Sequence, residues 1–291
     1  MTASATGSTN QSDENIAPGV VLRRVSTPEE YDMCIRMQHE IWGDTFTEVV
    51  PSTILKVTQR IGGVTAGAFD VDGRLLGFVF GMTGTQDGSL VHWSDLLAVH
   101  PEARNKGLGH RLKLFQRELL IAIGVRTMFW TYDPLVAKNA YLNFVKLGAR
   151  PVEYVMNMYG GNTKSELHGS LGTDRLIVSW DLTATATARG NSQAVAGSNQ
   201  NARSPIVNRI GTSDVSYLKI VAELPDVSAI RIEIPADIHS VIDDSFDTAL
   251  EWRAATRLAF THYLGHNYRV TDFTRDPMRN VYYYTLTLNA A

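Results

Sequence analysis

At 291 residues the chain is long enough for one large or two ordinary domains, and 44% hydrophobic residues is the share expected of a globular protein. The net charge of −3 supplies no global basic field, which argues against nucleic acid as a partner, and no apolar run approaches the roughly 18–20 residues that span a bilayer. A single cysteine, Cys34, excludes an internal disulfide and any cysteine-based zinc site, so a reducing, cytoplasmic setting is the simplest inference.

Residues 1–19 lack the basic start and apolar centre of a secretion signal and read as a disordered leader. A first strand is expected over residues 20–25. Ser26 to Glu30 then offer a cap, a proline for the first helical turn and two acids for the positive end of the dipole, ahead of a helix from Tyr31 to Trp42. A loop through Gly43, Thr47 and Pro51 precedes a second helix, Thr53 to Arg60, which Gly62 and Gly63 end. From Val64 the period becomes that of a sheet. Strands at Val64–Asp70 and Leu75–Met82 flank an Asp72-Gly73 turn, and a turn at Gln86 to Gly88 leads into a strand over Val91–Val99.

Beyond that strand lie a helix, His110–Ile123, and a strand, Thr127–Thr131, stopped by Asp133-Pro134. An amphipathic helix is expected over Val136–Leu147, with Gly148 as its terminating glycine. Val152–Met158 and Arg175–Leu182 read as two closing strands around a polar, glycine-rich loop. Residues 184–208 have the composition of a linker between a first domain, 20–183, and a smaller α/β extension, 209–291. In the extension, strands are expected at Tyr217–Val221, Ile230–Ile234, Arg269–Phe273 and Val281–Leu288, with a long helix over Asp244–Leu264. The junction Leu264-Gly265-His266 echoes Leu147-Gly148-Ala149, which suggests a degenerate half-repeat.

The stretch Ser94–Gly109, SDLLAVHPEARNKGLG, organises the first domain. A short apolar strand exits at Pro101, a basic loop with two glycines follows, and a helix starts at once. That order aims the free N–H groups of a helix N-terminus, with the positive end of its dipole, at whatever occupies the loop. Gly107 and Gly109 allow a bulky anion to approach the backbone, and Arg104 and Lys106 add formal charge. The reading is a phosphate or pyrophosphate cradle; a tight turn with basic residues on a solvated edge is the bland alternative. A Walker loop is excluded because no Gly-Lys-Ser/Thr ending is present, and a dinucleotide fingerprint because the spacing is not GxGxxG.

Arg104-x-x-Gly107-x-Gly109 after a strand ending in LAVHPEAR resembles the acyl-CoA loop of the GNAT superfamily of N-acyltransferases, over roughly Val20–Leu182. The segments TYDPLVAKNAYLNFVKLGA, LGTDRLIVSW and WRAATRLAF resemble a longer bacterial and archaeal branch with a C-terminal extension, some members of which acylate amino acids, succinyl transfer included. The resemblance implies an α/β (α+β) fold, a mixed central sheet flanked by helices, and acetyl-CoA or another acyl-CoA as co-substrate, without a metal. It implies that Arg104, Asn105, Lys106, Gly107, Leu108 and Gly109 hold the pyrophosphate, with His110 at the next turn. Leu97, Ala98 and Val99 would present amides to the pantetheine arm and the developing oxyanion. One departure stands out. Phe144 occupies the position of the tyrosine that serves many members as general acid, so Tyr141, Asn139 or a water would have to substitute.

Aminolysis of a thioester also needs a base for the attacking amine. Asp95 shares a strand face with Trp93 and Leu97, and a carboxylate part-buried among apolar groups would have a raised pKa suited to that task; a structural acceptor is the equal alternative. Asp133 is a second candidate, with a helix-cap or turn role favoured, and Glu48 a third. Asn139 and Asn143, one helical turn apart, would face one side as pantetheine or substrate contacts, or face water. Trp42, Trp93 and Trp130 read first as core. His39 and His92 have no metal-ligand spacing. Arg175 could pair with a substrate carboxylate, although an ion pair within the protein is its commoner fate. The expected activity is acyl transfer to a small primary amine, an amino acid or related metabolite; the alternative is a CoA-binding regulatory or scaffold module without turnover. Scaffold, pocket and homodimer duties are all open to the extension.

Overall fold

Thr27 and Glu30 start the first helix reciprocally. The Glu30 amide donates to Thr27 Oγ1 (3.3 Å) while Glu30 Oε2 accepts from the amides of Ser26 (2.8 Å) and Thr27 (3.4 Å). Arg23 closes on the same carboxylate at 2.8 Å, and that hydrogen bond leads in holding the Glu30 carboxyl down at about 2. The computed structural model describes residues 19–160, 171–184, 203–208 and 224–289. In chain order they form β1 (Val21–Arg24), α1 (Pro28–Trp42), α2 (Ser52–Arg60), β2 (Val64–Phe69), β3 (Leu75–Gln86), β4 (Ser89–Val99), α3 (Leu108–Ile121), β5 (Thr127–Tyr132), α4 (Ala137–Ala140), β6 (Arg150–Val155), β7 (Arg175–Asp181), β8 (Ala229–Pro235), α5 (Ile238–Asp244), α6 (Phe246–Gly265), β9 (Tyr268–Asp276) and β10 (Val281–Leu288). The class is α/β: a seven-stranded mixed sheet in the order β1-β2-β3-β4-β5-β7-β6, and a three-stranded sheet in the order β8-β10-β9.

Two compact units divide the chain, and the division does not follow the linker composition. The first gathers Met1–Ile41, Val49–Thr83 and Ser94–Ile123; the second gathers Trp42–Glu48, Gly84–Trp93 and Gly124–Ala291. In the first, β2 is antiparallel to both β1 and β3 and buried along its whole length, as a central strand should be. Leu55, Phe78, Phe80, Leu112 and Leu120 complete its core. Cys34 lies fully within it, and burial pushes its thiol up to about 12, so it is no nucleophile at neutral pH.

One polar chain crosses this core. Lys113 Nζ donates to Ser94 Oγ (2.6 Å), which donates to Gln116 Oε1 (2.9 Å), and all three side chains are buried.

In the second unit β5 pairs in parallel with β4 over Val91–Trp93 and antiparallel with β7, while β7 pairs antiparallel with β6. The extension joins the core of these strands. Tyr154 of β6 stacks on Phe260 of α6 (5.3 Å), Phe260 meets Tyr284 of β10 edge-on (5.2 Å), and the Tyr284 hydroxyl donates to the carbonyl of Pro134 (3.0 Å). Residues 203–208, linker by composition, are pinned to β8. Asn208 makes two bonds with the Glu233 backbone (2.7 and 2.8 Å), and Val207 donates to the Arg231 carbonyl (3.0 Å).

The expectations for the extension fare differently. The long helix expected over Asp244–Leu264 is α6, which starts two residues later because Ser245 is extended and its hydroxyl accepts from the Thr248 amide; the short α5 before it was not expected. The echo of Gly148 at Gly265 fails in conformation. Gly148 takes φ 72° after its helix, whereas Gly265 is still helical and Asn267 makes the left-handed turn with φ 64°. The strand expected at Tyr217–Val221 lies outside the described residues, as do the leader through residue 18 and most of the glycine-rich loop.

Burial drives the Lys113 ammonium from its ordinary value of 10.5 to about 7. Between those values the unfolded chain binds a proton that the folded chain does not, so stability rises with pH across that window. Urea unfolding of the wild type from pH 7 to 10 should therefore show a gain of up to about 1.4 kcal/mol per pH unit. Lys113→Met should remove most of that slope; an unchanged slope would place the titration elsewhere.

Candidate functional site

The loop after β4 is shaped by backbone turns. Pro101 opens a single 3-10 turn, in which the amides of Ala103 and Arg104 return to the carbonyls of His100 (2.9 Å) and Pro101 (3.2 Å). The His100 ring accepts from the Glu102 amide at 3.4 Å. Arg104 folds back to donate from Nε to the Val99 carbonyl (3.1 Å), which anchors the loop to the end of the strand. Asn105 (φ 63°) and Gly107 (φ 75°) are both left-handed, and Arg104, Asn105, Lys106 and Gly107 are all exposed.

The helix starts at Leu108, two residues earlier than expected, with Gly107 as an N-cap that has no side-chain hydrogen bond. The N-cap of α3 is a glycine, which brings no side chain to compete for the helix's first turn, an arrangement suited to receiving an anion. A Cβ on Gly107 would meet nothing within 4 Å; one on Gly109 would meet Leu97 Cδ2 at 3.6 Å and Val99 Cγ2 at 3.8 Å, ordinary contacts. The backbone here is open to a bulky group rather than packed against another segment. Leu108 anchors the turn from below, buried in the core, and His110 is half-buried.

Along β4 the alternation runs as expected. His92, Ser94, Leu96 and Ala98 are buried; Trp93, Leu97 and Val99 are half-buried on the other side. Asp95, on that second side, is exposed. The expected part-burial among apolar groups is not found, because strand periodicity directs it to the open face. Glu48 is exposed as well, and accepts from Thr47 Oγ1 at 3.3 Å.

The helix expected over Val136–Leu147 is one α-helical turn, Ala137–Ala140, that widens into a π-helical turn over Tyr141–Lys146. The widening rotates Asn139 and Asn143 away from a common face, correcting the expectation of a shared side. Asn139 is exposed, whereas Asn143 is buried and accepts from the Trp130 indole at 3.1 Å. Phe144 is buried with the Arg150 guanidinium 4.4 Å over its ring, and Tyr141 is 42% exposed.

Asp133, at the carboxyl end of β5, is engaged at both oxygens. Oδ1 accepts from the Leu135 amide (2.9 Å), the expected turn role, and Oδ2 accepts from Arg253 Nη2 of α6 (2.5 Å). Arg175 Nη1 lies 3.7 Å from the same oxygen. A carboxylate so held is a poor candidate for a base. Sequence reasoning weighed Arg175 but missed Arg253. The signal was present: Ala249, Trp252, Thr256, Phe260 and Tyr263 mark the buried face of α6, and Arg253 falls on it.

Gly107→Ala forces a Cβ into a left-handed residue and should lower stability by about 1 kcal/mol in thermal unfolding, with the fold retained. An unchanged melting temperature would mean that the turn relaxes.

No family model matches the sequence, and no curated protein does. Solved structures do. An aminoglycoside 6'-acetyltransferase type Ii matches with 16% identity over 57% of this chain and 99% of its own, with a TM-score of 0.45. An N-acetyltransferase from Staphylococcus aureus Mu50 matches with 15% identity over 57% and 99%, with a TM-score of 0.46. The ribosomal-protein-S18-alanine N-acetyltransferase from Escherichia coli matches with 15% identity over 57% and 96%, with a TM-score of 0.44. The chain is thus similar over somewhat more than half its length to proteins of the N-acetyltransferase kind.

Proposed function

We propose that this protein is an acyl-CoA-dependent N-acyltransferase acting on a small primary amine such as an amino acid. The observation that carries the reading is the glycine N-cap of α3, an open, left-handed Gly107, with exposed Arg104 and Lys106 beside it. A diphosphate is the group that such a backbone cradle fits: it is doubly anionic, too bulky for a loop carrying Cβ atoms, and satisfied by amides. The side chains of Leu97 and Val99 line the strand next to Gly109, so a pantetheine arm running from the loop would follow β4.

In this reading the amine nitrogen attacks the thioester carbonyl carbon, the new C–N bond forms as the C–S bond breaks, and the proton lost by nitrogen balances the thiolate released. Asp95 and Glu48, both exposed, are the base candidates that remain, since Asp133 is committed to Arg253. Phe144 offers no proton, so Tyr141, exposed on the π-helical turn, or water serves the thiolate. Direct attack needs no acyl-enzyme.

CoA or acetyl-CoA at about a hundred times its Kd should stabilise the full chain by about 2.7 kcal/mol, read as a rise in Tm. Arg104→Ala and Lys106→Ala should each weaken binding, with a shallower salt dependence. No rise at saturation would defeat the reading. Phe144 favours a second one, a CoA-binding module without turnover. Thiol release over a panel of amines separates them: a Tm rise without release for any amine selects the module.

A further inference from the structure

Arg253 is a buried cation with donors to spare. Its side chain is 4% exposed, one nitrogen is bound to Asp133, and Nε and Nη1 have no hydrogen-bond partner among the described residues. A second guanidinium, Arg175, is 5% exposed and approaches the same carboxylate. Burial is the main influence lowering its pKa, and the charge of Arg253 adds to it. The nearby Asp174 favours the charge of Arg253 but takes none of its spare hydrogen bonds. That carboxylate takes two bonds from Arg257 (2.7 and 2.8 Å), one from the Tyr154 hydroxyl and one from the Asn157 amide (3.0 Å).

An arginine fork aimed only at Asp133 would leave its free donors at the surface, where water satisfies them. Here they are withdrawn from water at the carboxyl end of β5, the strand that pairs in parallel with β4. Ligands of α/β sheets collect at such strand ends. The cluster meets solvent at Asp133, 18% exposed, and at Tyr159, whose ring lies 5.3 Å from the Arg175 guanidinium and whose hydroxyl bonds Thr131 (2.9 Å). Guanidinium donors match a planar carboxylate in pairs.

We infer that Arg253, with Arg175 beside it, is a receptor for a carboxylate on the substrate, so that the C-terminal extension supplies a specificity determinant for the reaction. The inference rests on the acyl-transfer reading for the identity of the substrate, and on Arg253 alone for the anion site. A carboxylate on the acceptor amine and a carboxylate on the acyl group share this chemistry.

Calorimetric titration of the full chain with succinate and with succinamide tests the site without any turnover. Succinate should bind at least tenfold more tightly, and Arg253→Gln should abolish that difference while Arg253→Lys keeps part of it. Equal affinity for the two probes, or undiminished discrimination in a folded Arg253→Gln protein, overturns the site. Should that variant not fold, the wild-type comparison decides alone. Thiol release from acetyl-CoA and from succinyl-CoA, each with leucine and with 3-methylbutylamine, then locates the carboxylate. A tenfold preference for leucine with either donor puts it on the acceptor, and one for succinyl-CoA with either amine puts it on the acyl group. Turnover with neither preference overturns the specificity role. Retained succinate discrimination with no thiol release in any pairing overturns acyl transfer and leaves the anion site standing, so the two ideas fail separately.

Discussion

The carboxylate of Asp133 ties together residues 120 positions apart. One oxygen holds the turn that ends β5 and the other holds Arg253 on α6. An ion pair this buried contributes little net stability against an apolar replacement, but either charge left alone would be costly. The pair therefore fixes arrangement more than it adds stability: α6 must present Arg253 where β5 ends. The aromatic contacts of Tyr154, Phe260 and Tyr284 supply the apolar burial that makes the arrangement affordable.

The loop at Gly107 works by the opposite means. Arg104 to Gly107 are exposed, and two left-handed residues and the return of Arg104 to the Val99 carbonyl shape them. Backbone amides fixed in this way need little reorganisation when an anion arrives. A preorganised cradle of backbone and a buried cation from a distant helix are different solutions to binding negative charge. In the proposed function the first would receive a large diphosphate, and in the further inference the second would select a small planar anion.

The π-helical turn at Tyr141–Lys146 decides which polar groups remain available. By rotating Asn143 inward to the Trp130 indole it removes an amide from any ligand, and it leaves Tyr141 and Asn139 on the open side. Phe144 is then sealed under Arg150. The chemistry of this segment follows from its backbone more than from its residue types.

Local signals determined much of this protein. The strand, basic glycine loop and helix at Ser94–Gly109, the capped start of α1, the Asp72-Gly73 turn and the alternation along β4 all depend on residues within a few positions of one another, so periodicity and turn chemistry are enough to read them. The left-handed turn at Gly107 was legible for the same reason. What only the tertiary structure decided involves pairs far apart in sequence or a slip in helical period. Asp133 looked like a turn residue and is also half of an ion pair with Arg253. Asp95 looked part-buried and is exposed, and Asn143 looked like a neighbour of Asn139 and turns into the core. A sequence pattern records which side of an element is apolar, but a charged residue on that side acquires its meaning only when folding brings it a partner or leaves it without one.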